Sequence, residues 1–126
     1  MKYEFVTPSE ENSYCIFKSE LEENPLVLFH LTPKRNFESI ISKGFRSAAE
    51  LKTGEIESVS YAKRSSGCFA NKGNQMIEDV VVFAVEFDTL DKAEIMVNCS
   101  DILVYNKDIQ PAILGYCELQ SGFKIS

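Results

Sequence analysis

The segment that begins at Ser9 places apolar side chains at helical spacing. Ser9 is followed by two glutamates, and acidic residues are favourable at a helix N-terminus. The apolar stripe then consists of Tyr14, Phe17 and Leu21, and Pro25 limits how far a helix can run. The pattern therefore predicts a first helix starting at Ser9.

A continuous apolar run over residues 26–31 predicts a buried strand. Thr32 and Pro33 then supply a cap and a first helical residue, and Gly44 suits a helix C-terminus, so a second helix is expected between them. Ser47 and Glu50 have capping-box spacing and predict a short third helix running to Thr53.

Strand patterns dominate after Gly54. The strongest is residues 79–87, DVVVFAVEF, and the others lie at 56–61, 94–97, 101–105 and 112–119, with a last short one after Gly122. Residues 65–74 are rich in Gly, Ser and Asn and predict a loop. Helices followed by strands, without βαβ alternation, predict an α+β fold with an antiparallel or mixed sheet.

Composition supports one globular domain over residues 1–126. The chain has a mass of 14.2 kDa, with 44% apolar and 25% charged residues. Its net charge of −6 disfavours binding to a nucleic-acid backbone and leaves two candidate basic patches, Lys34–Arg35 and Lys63–Arg64. No apolar run approaches the roughly 18 residues that span a bilayer, and the polar N-terminus does not resemble an export signal, so we expect a cytoplasmic protein without membrane contact.

The cysteines and the histidine do not have the spacing of a metal site. No two of the four cysteines form a CxxC pair and the chain holds one histidine, so no metal is expected. Cys15, Cys99 and Cys117 lie among apolar residues and are predicted core residues in reduced form. Cys68 lies in a loop, where it is either an ordinary side chain or a reactive thiol.

His30 ends the predicted apolar strand and precedes the second helix, a position that favours functional side chains. The alternative is a core histidine with a backbone partner. Around it, His30 and Thr32 are followed by Asn36–Phe37, Ile40–Ile41, Gly44 and Arg46. This spacing resembles the poly(ADP-ribose) polymerase type of ADP-ribosyltransferase, in which a strand ending in His-Gly-Ser/Thr is followed by Asn-Phe-x-x-Ile-Leu-x-x-Gly-Leu-Arg.

The resemblance continues downstream in family order. Residues 59–66 are similar to the family's Ile-Tyr-Phe-Ala-x-x-x-Ser segment, 101–105 to the strand that opens with the catalytic acid, and 109–114 to the closing segment. It covers residues 26–119 and leaves 1–25 as an N-terminal extension with a helix. It implies a split sheet with flanking helices that clamps NAD in a central cleft.

Residue by residue, the resemblance assigns a catalytic set of His30, Tyr61 and Asp101. His30 would bond a ribose hydroxyl of NAD, the backbone of Leu31 would hold the nicotinamide amide, and Thr32 belongs to the same cofactor-binding stretch. Asp101 would orient NAD and stabilise the positive charge that develops as nicotinamide leaves. Two positions differ from the family, because Leu31 replaces a glycine and Asp101 replaces a glutamate. Asp101 has the alternative of simply ending a turn.

The remaining cofactor contacts follow from the same resemblance. The stacking tyrosine falls on Ser60 without a gap and on Tyr61 with a one-residue shift, and Tyr61 is preferred because nicotinamide needs a flat apolar wall. Ser66 and Phe69 have the spacing of the family's amide-binding serine and stacking aromatic, with ordinary core packing as the equal alternative for Phe69.

The resemblance therefore implies an NAD-dependent mono-ADP-ribosyltransferase or NAD glycohydrolase acting on an unknown acceptor: a protein, a nucleic acid or a small molecule. The alternative is an inactive module of the same fold that binds NAD, ADP-ribose or a protein. An RNA 2′-phosphotransferase fits less well, because that chemistry needs several basic residues. A role in toxicity, defence or regulation, with an inhibitory or immunity partner, is the expected setting.

Overall fold

The two most apolar segments of the sequence form neighbouring strands in the middle of a sheet. In the computed structural model, which describes residues 2–3, 6–52, 54–56, 58–69, 76–88, 95–97, 101–105 and 109–123, these strands are β1 and β3. The strands are β1 Val27–Pro33, β2 Val59–Ala62, β3 Val80–Glu86, β4 Ile95–Val97, β5 Asp101–Val104 and β6 Ala112–Leu119. The helices are α1 Ser19–Glu22, α2 Phe37–Lys43 and α3 Ala48–Leu51, with 3-10 turns at Glu10–Asn12, Lys34–Asn36 and Ser65–Phe69.

The strands form one sheet in the order β4-β5-β2-β1-β3-β6, and every neighbouring pair is antiparallel. The α+β class and the antiparallel sheet predicted from the sequence are confirmed. Because β3 is covered on both faces, Val80 to Val85 are all buried, which explains why this strand is apolar throughout instead of alternating.

The two faces of the sheet carry separate cores. Ile16, Phe17 and Phe29 lie on one face, here called the N-terminal face because residues 15–17 cover it. Phe45 and Tyr61 lie on the opposite face, against which residues of α2 pack, and this face is here called the α2 face. Successive side chains of a strand point to opposite faces, so each face takes every second residue of β1 and β3.

β1 and β2 are paired over a shorter stretch than any other two neighbouring strands of the sheet. β1 pairs with β3 along its whole length, from Val27 opposite Glu86 to Pro33 opposite Val80. With β2, by contrast, the paired register consists of Phe29 opposite Ala62, here called the β1–β2 junction. The sheet thus consists of two antiparallel halves, β4-β5-β2 and β1-β3-β6, that meet at this junction.

The prediction of a first helix starting at Ser9 is wrong. Ser9 precedes only the 3-10 turn, in which its backbone N–H donates to the Asn12 side chain at 2.9 Å. Ser13 and Tyr14 then adopt left-handed φ angles of 57° and 60°, which a continuing α-helix does not allow. The apolar spacing instead serves a buried non-helical segment, residues 15–17, followed by the short helix α1.

The second helix begins later than predicted. Thr32 and Pro33 remain in β1, and α2 starts at Phe37 after a 3-10 turn. The Thr32 hydroxyl accepts a hydrogen bond from the Asn36 side chain at 3.0 Å instead of capping the helix. The predicted C-terminal Gly44 is confirmed, with φ at +79°.

The other local predictions agree with the structure where it describes them. The capping box is present, since Glu50 N–H donates to Ser47 Oγ and Ser47 N–H donates to Glu50 Oε1. The predicted strands occur within a few residues of their expected limits. The predicted loop contains a 3-10 turn over its first five residues. Residues 70–75, Cys99 and the end of the strand predicted after Gly122 lie outside the described residues.

A buried carboxylate joins the N-terminal segment to the sheet. Glu22 is 5% exposed and accepts hydrogen bonds from the backbone N–H groups of Phe17 (3.3 Å) and Ser65 (3.0 Å) and from the Ser65 hydroxyl. Ser65 Oγ in turn accepts from the Ile16 N–H at 2.9 Å. Residues 15–17 of the extension are therefore part of the core, and they cover the face of the sheet opposite α2.

Replacing Glu22 is expected to destabilise the fold. In Glu22→Gln, an amide NH₂ takes the place of one acceptor oxygen and faces donors, so the free energy of unfolding should fall by about 2–4 kcal/mol. Urea denaturation measures this as a lower midpoint at an unchanged slope. The exposed neighbour Glu23 gives the matched control, Glu23→Gln, with a change within about 0.5 kcal/mol. Equal midpoints for the two variants would show that the buried network contributes little.

Candidate functional site

His30 lies on the α2 face, one residue beyond the β1–β2 junction. Its Nδ1 lies 2.8 Å from the backbone oxygen of Ser60. A carbonyl oxygen can only accept, so Nδ1 carries the proton. Nε2 makes no hydrogen bond to the described part of the chain and is left to act toward a ligand.

The protonation state of His30 follows from its surroundings. Burial lowers the pKa of His30 below its usual value of 6.5, and the hydrogen bond to Ser60 opposes this shift only in part. At neutral pH the ring is therefore uncharged, with Nε2 as a hydrogen-bond acceptor. Both readings proposed for His30 are combined here, since it has a backbone partner and also lines a cavity.

Aromatic rings hold the imidazole in place. The ring of Phe45 meets it edge-on at a centroid distance of 5.1 Å, and Tyr61 lies at 5.6 Å. Tyr61 is 1% exposed, and burial raises the pKa of its phenol, so it stays protonated. The structure thus brings His30 and Tyr61 together, with Tyr61 behind the imidazole and not among the residues that line the cavity.

A cavity of about 130 Å³ opens beside His30. Pockets that bury a drug-sized ligand usually start at about 300 Å³, so this one fits a single ring and not a whole dinucleotide. Its polar and aromatic lining comes from the end of β1, from α2 and from the segment after α2: His30, Thr32, Asn36, Ser39, Phe45 and Arg46.

Arg46 gives the cavity a positive charge. Its Nη2 donates to the Ser39 hydroxyl at 3.0 Å, and none of the described carboxylates forms an ion pair with it. The hydroxyl orients the guanidinium without neutralising it. Arg46 can therefore attract an anionic group of a ligand.

The backbone of Leu31 lies beside the same site. Lys34 N–H donates to the Asp79 oxygen and Phe87 N–H donates to the Leu26 oxygen, both at 3.0 Å, so even-numbered residues of β1 direct their peptide groups toward β3. Leu31 therefore directs its N–H and C=O toward β2, one step past the junction. There the Ser60 carbonyl is taken by the His30 ring. The side chain of Leu31 packs on the N-terminal face.

Asp101 begins β5, opposite Ala62 of β2. On the same ladder Ile102 is opposite Tyr61, so Ile102 and not Asp101 shares the register position of Tyr61. Asp101 instead has the register of Ala62 and Phe29, which belongs to the N-terminal face, so the backbone does not place it on the face of His30. Ser60, the other candidate for the stacking position, is exposed and supplies its carbonyl to His30.

Ser66 and Phe69 lie away from the cavity. Phe69 is 4% exposed and belongs to the core of the N-terminal face, as in the core-packing alternative. Ser66 Oγ lies 3.6 Å from the thiol of Cys15, in the N-terminal segment. These two side chains and His30 are therefore not brought together in this structure.

The other candidates from the sequence have ordinary surroundings. Lys34 and Arg35 pair with Glu118 and Glu78, which neutralises one predicted basic patch, whereas Lys63 and Arg64 are exposed. Cys15 and Cys117 are buried and Cys68 is half-buried. Among the described side chains, no three His, Cys, Asp or Glu residues lie close enough to hold a metal ion. None of the described helices is long and apolar enough to cross a membrane.

Two larger cavities, of about 330 and 400 Å³, lie next to α1. Both are lined by Glu22, Glu23 and Arg64. The Glu22 carboxylate already accepts three hydrogen bonds from residues 17 and 65, and Glu23 and Arg64 are exposed. The smaller cavity holds the only histidine of the chain and is the better candidate despite its size.

Sequence reasoning gave no role to several residues at this site. Ser39 and Phe45 line the cavity, and Gln110 binds the backbone of Phe45. Asn36 and Arg46 carried a signal, since both fall in the stretch that resembles the transferases, but no site role followed from it. Comparison with known proteins found no match to a family model, to a curated protein or to a solved structure.

The lowered pKa of His30 predicts a pH dependence of stability. Between the folded-state pKa of His30 and the unfolded value of about 6.5, the unfolded chain binds more protons than the folded chain. The contribution of His30 to the free energy of unfolding is therefore complete above pH 6.5 and decreases as the pH falls through this window. Urea unfolding of the wild type and of His30→Gln, from about pH 8 to about pH 5, measures the difference. The wild type should lose more stability than the variant on acidification. Parallel curves would contradict a lowered pKa.

Proposed function

We propose that the cavity beside His30 receives the nicotinamide ribose of NAD and that this chain is a mono-ADP-ribosyltransferase or an NAD glycohydrolase. The observation that carries the proposal is the neutral His30, fixed by the Ser60 carbonyl with Nε2 as an acceptor at the end of the β1–β2 junction. A ribose hydroxyl is a donor of the kind that Nε2 would accept.

The peptide group of Leu31 suits the other half of the nicotinamide nucleoside. A carboxamide offers one acceptor and two donors, and the N–H and C=O of a single residue in an extended strand can bind it at two points. Leu31 directs both groups toward β2, past the junction. Only its backbone is needed, so the leucine in place of the family's glycine does not prevent this contact.

Charge and size agree with a dinucleotide that is only partly enclosed. The cavity holds one ring, and the rest of NAD would extend along the surface past Arg46, whose guanidinium lacks an acidic partner among the described residues. The pyrophosphate carries the negative charge that this arginine would attract.

The reaction breaks the bond between the nicotinamide nitrogen and ribose C1. The electron pair leaves with nicotinamide, which becomes neutral, and the ribose acquires oxocarbenium character that a carboxylate stabilises. Asp101 is the carboxylate that the resemblance supplies. Its register opposite Ala62 belongs to the N-terminal face, and a shift of β5 by one residue would bring it to the face of His30. Water or an acceptor group then supplies the oxygen or nitrogen that bonds to C1 and releases its proton.

A module that binds NAD or ADP-ribose without cleaving it is the second candidate. The observation that favours it is the register of β5, in which Ile102 and not Asp101 is opposite Tyr61. Binding would then use His30, Leu31 and Arg46, and the carboxylate would be dispensable.

Nicotinamide release from NAD, followed by proton NMR, tests the proposal. The wild type should release nicotinamide, and Asp101→Asn should lower the rate about 100- to 1,000-fold, as expected when one electrostatic contact to the transition state is removed. Asp88→Asn, at an exposed carboxylate after β3, is the matched control and should keep the wild-type rate.

The same samples distinguish the two candidates. Chemical-shift changes on NAD addition, without release by the wild type and without an effect of Asp101→Asn, would replace the transferase by the binding module. No shift changes of the His30 ring at millimolar NAD would reject both.

A further inference from the structure

The side chain of Gln110 binds the peptide group of a residue far away in the sequence. Phe45 N–H donates to Gln110 Oε1 at 3.0 Å, and Gln110 Nε2 donates to the Phe45 carbonyl at 2.9 Å. The amide thus pairs with both polar groups of one residue, as a neighbouring strand would. Such a two-point contact fixes the orientation of the peptide as well as its position.

Gly44 makes room for this contact. Its φ angle of +79° suits glycine, and a Cβ built on it would lie 2.8 Å from Gln110 Oε1. Any larger residue would therefore push the amide of Gln110 away from Phe45. The glycine at the end of α2 serves the helix terminus and the Gln110 contact together.

Phe45 transmits this contact to the site. Its ring is 2% exposed and packs edge-on against His30 at 5.1 Å, Tyr61 at 5.5 Å and Phe83 at 5.5 Å. The ring shields one side of the imidazole from water. Gln110 is not among the residues that line the cavity, and its two hydrogen bonds to Phe45 link it to the ring that packs on His30.

We propose that Gln110 is a positioning residue for His30: by holding the Phe45 peptide it fixes the aromatic ring that orients and desolvates the imidazole. The effect of Gln110 on ligand binding rests on the proposed NAD function. The effect on His30 itself does not.

Replacing Gln110 should release this constraint. In Gln110→Met the side chain keeps its length and loses both hydrogen bonds, so water gains access to His30 and its pKa rises toward 6.5. The charged or titratable groups beside the ring are Tyr61, which is neutral, and Arg46, and the substitution changes neither. NMR titration of the imidazole measures the pKa of His30 directly, since the chain has one histidine.

Asn12→Leu is the matched control. Asn12 also makes two side-chain-to-backbone hydrogen bonds, to Thr7 and Ser9, but in the N-terminal turn. A merely structural loss should lower the melting temperature in both variants and shift the pKa of His30 in neither. Gln110→Asn keeps an uncharged amide but shortens the side chain by one methylene, so it should weaken the contact with Phe45 and shift the pKa of His30 in the same direction as Gln110→Met.

Gly44→Ala tests the same chain of contacts without altering Gln110. It should raise the pKa of His30 as Gln110→Met does, whereas Gly122→Ala, with a similar φ of 91°, should not. An unchanged His30 pKa in both folded Gln110→Met and folded Gly44→Ala would overturn the proposal, and if neither variant folds, the Gln110→Asn titration decides it in the same way.

NAD titration adds the functional arm. Gln110→Met should weaken NAD binding about tenfold, the equivalent of one well-placed hydrogen bond. If the wild type binds no NAD, the proposed function fails, and the His30 titration still decides the role of Gln110. Equal NAD affinity together with an unchanged pKa would reject the positioning role.

Discussion

The end of pairing between β1 and β2 is the constraint on which the candidate site depends. Phe29 and Ala62 are the paired residues of this junction, and immediately beyond it the Ser60 carbonyl accepts from the His30 ring. A carbonyl that would otherwise continue the ladder is used to set the tautomer of a histidine. The same change leaves the peptide group of Leu31 directed toward β2 past the paired residues. A histidine with Nε2 left as an acceptor and a peptide group directed past the junction therefore arise from the same interruption of the sheet.

The two faces of the sheet have different tasks because different segments cover them. Residues 15–17 and the Glu22–Ser65 network close the N-terminal face, which is packed with apolar side chains and has its polar groups satisfied. On the α2 face the cover is thinner, and a cavity remains between β1, α2 and Phe45. Residues 15–17 of the N-terminal segment pack on the face of the sheet opposite His30 and cover the strands β1 and β3 from that side.

Much of the site could be anticipated from local sequence, and the rest depends on contacts between distant segments. His30 was identified by its position between an apolar strand and a helix, and Thr32 by its spacing relative to it, whereas Arg46 lay in the resembling stretch without being given a site role. Phe45 and Gln110 were not identified, because they are 65 residues apart and glutamine gives no signal of its partner. The contrast between Phe69 and Tyr61 has the same origin. Both are aromatic residues near the second strand, but only Tyr61 lies on the face of His30.

By itself the sequence determined the elements that local rules control: the apolar strands β1 and β3, the capping box of α3, the glycine that ends α2 and the α+β class. These depend on side-chain periodicity and on backbone preferences within a few residues. Only the tertiary structure decided that Ser13 and Tyr14 break the first helix, that Thr32 stays in a strand, and which face each aromatic ring occupies. Strand register fixes the face, since a shift of one residue moves every side chain to the other side. The uncharged state of His30 is likewise a property of the fold, because it arises from burial among residues that the chain brings together from four separate segments.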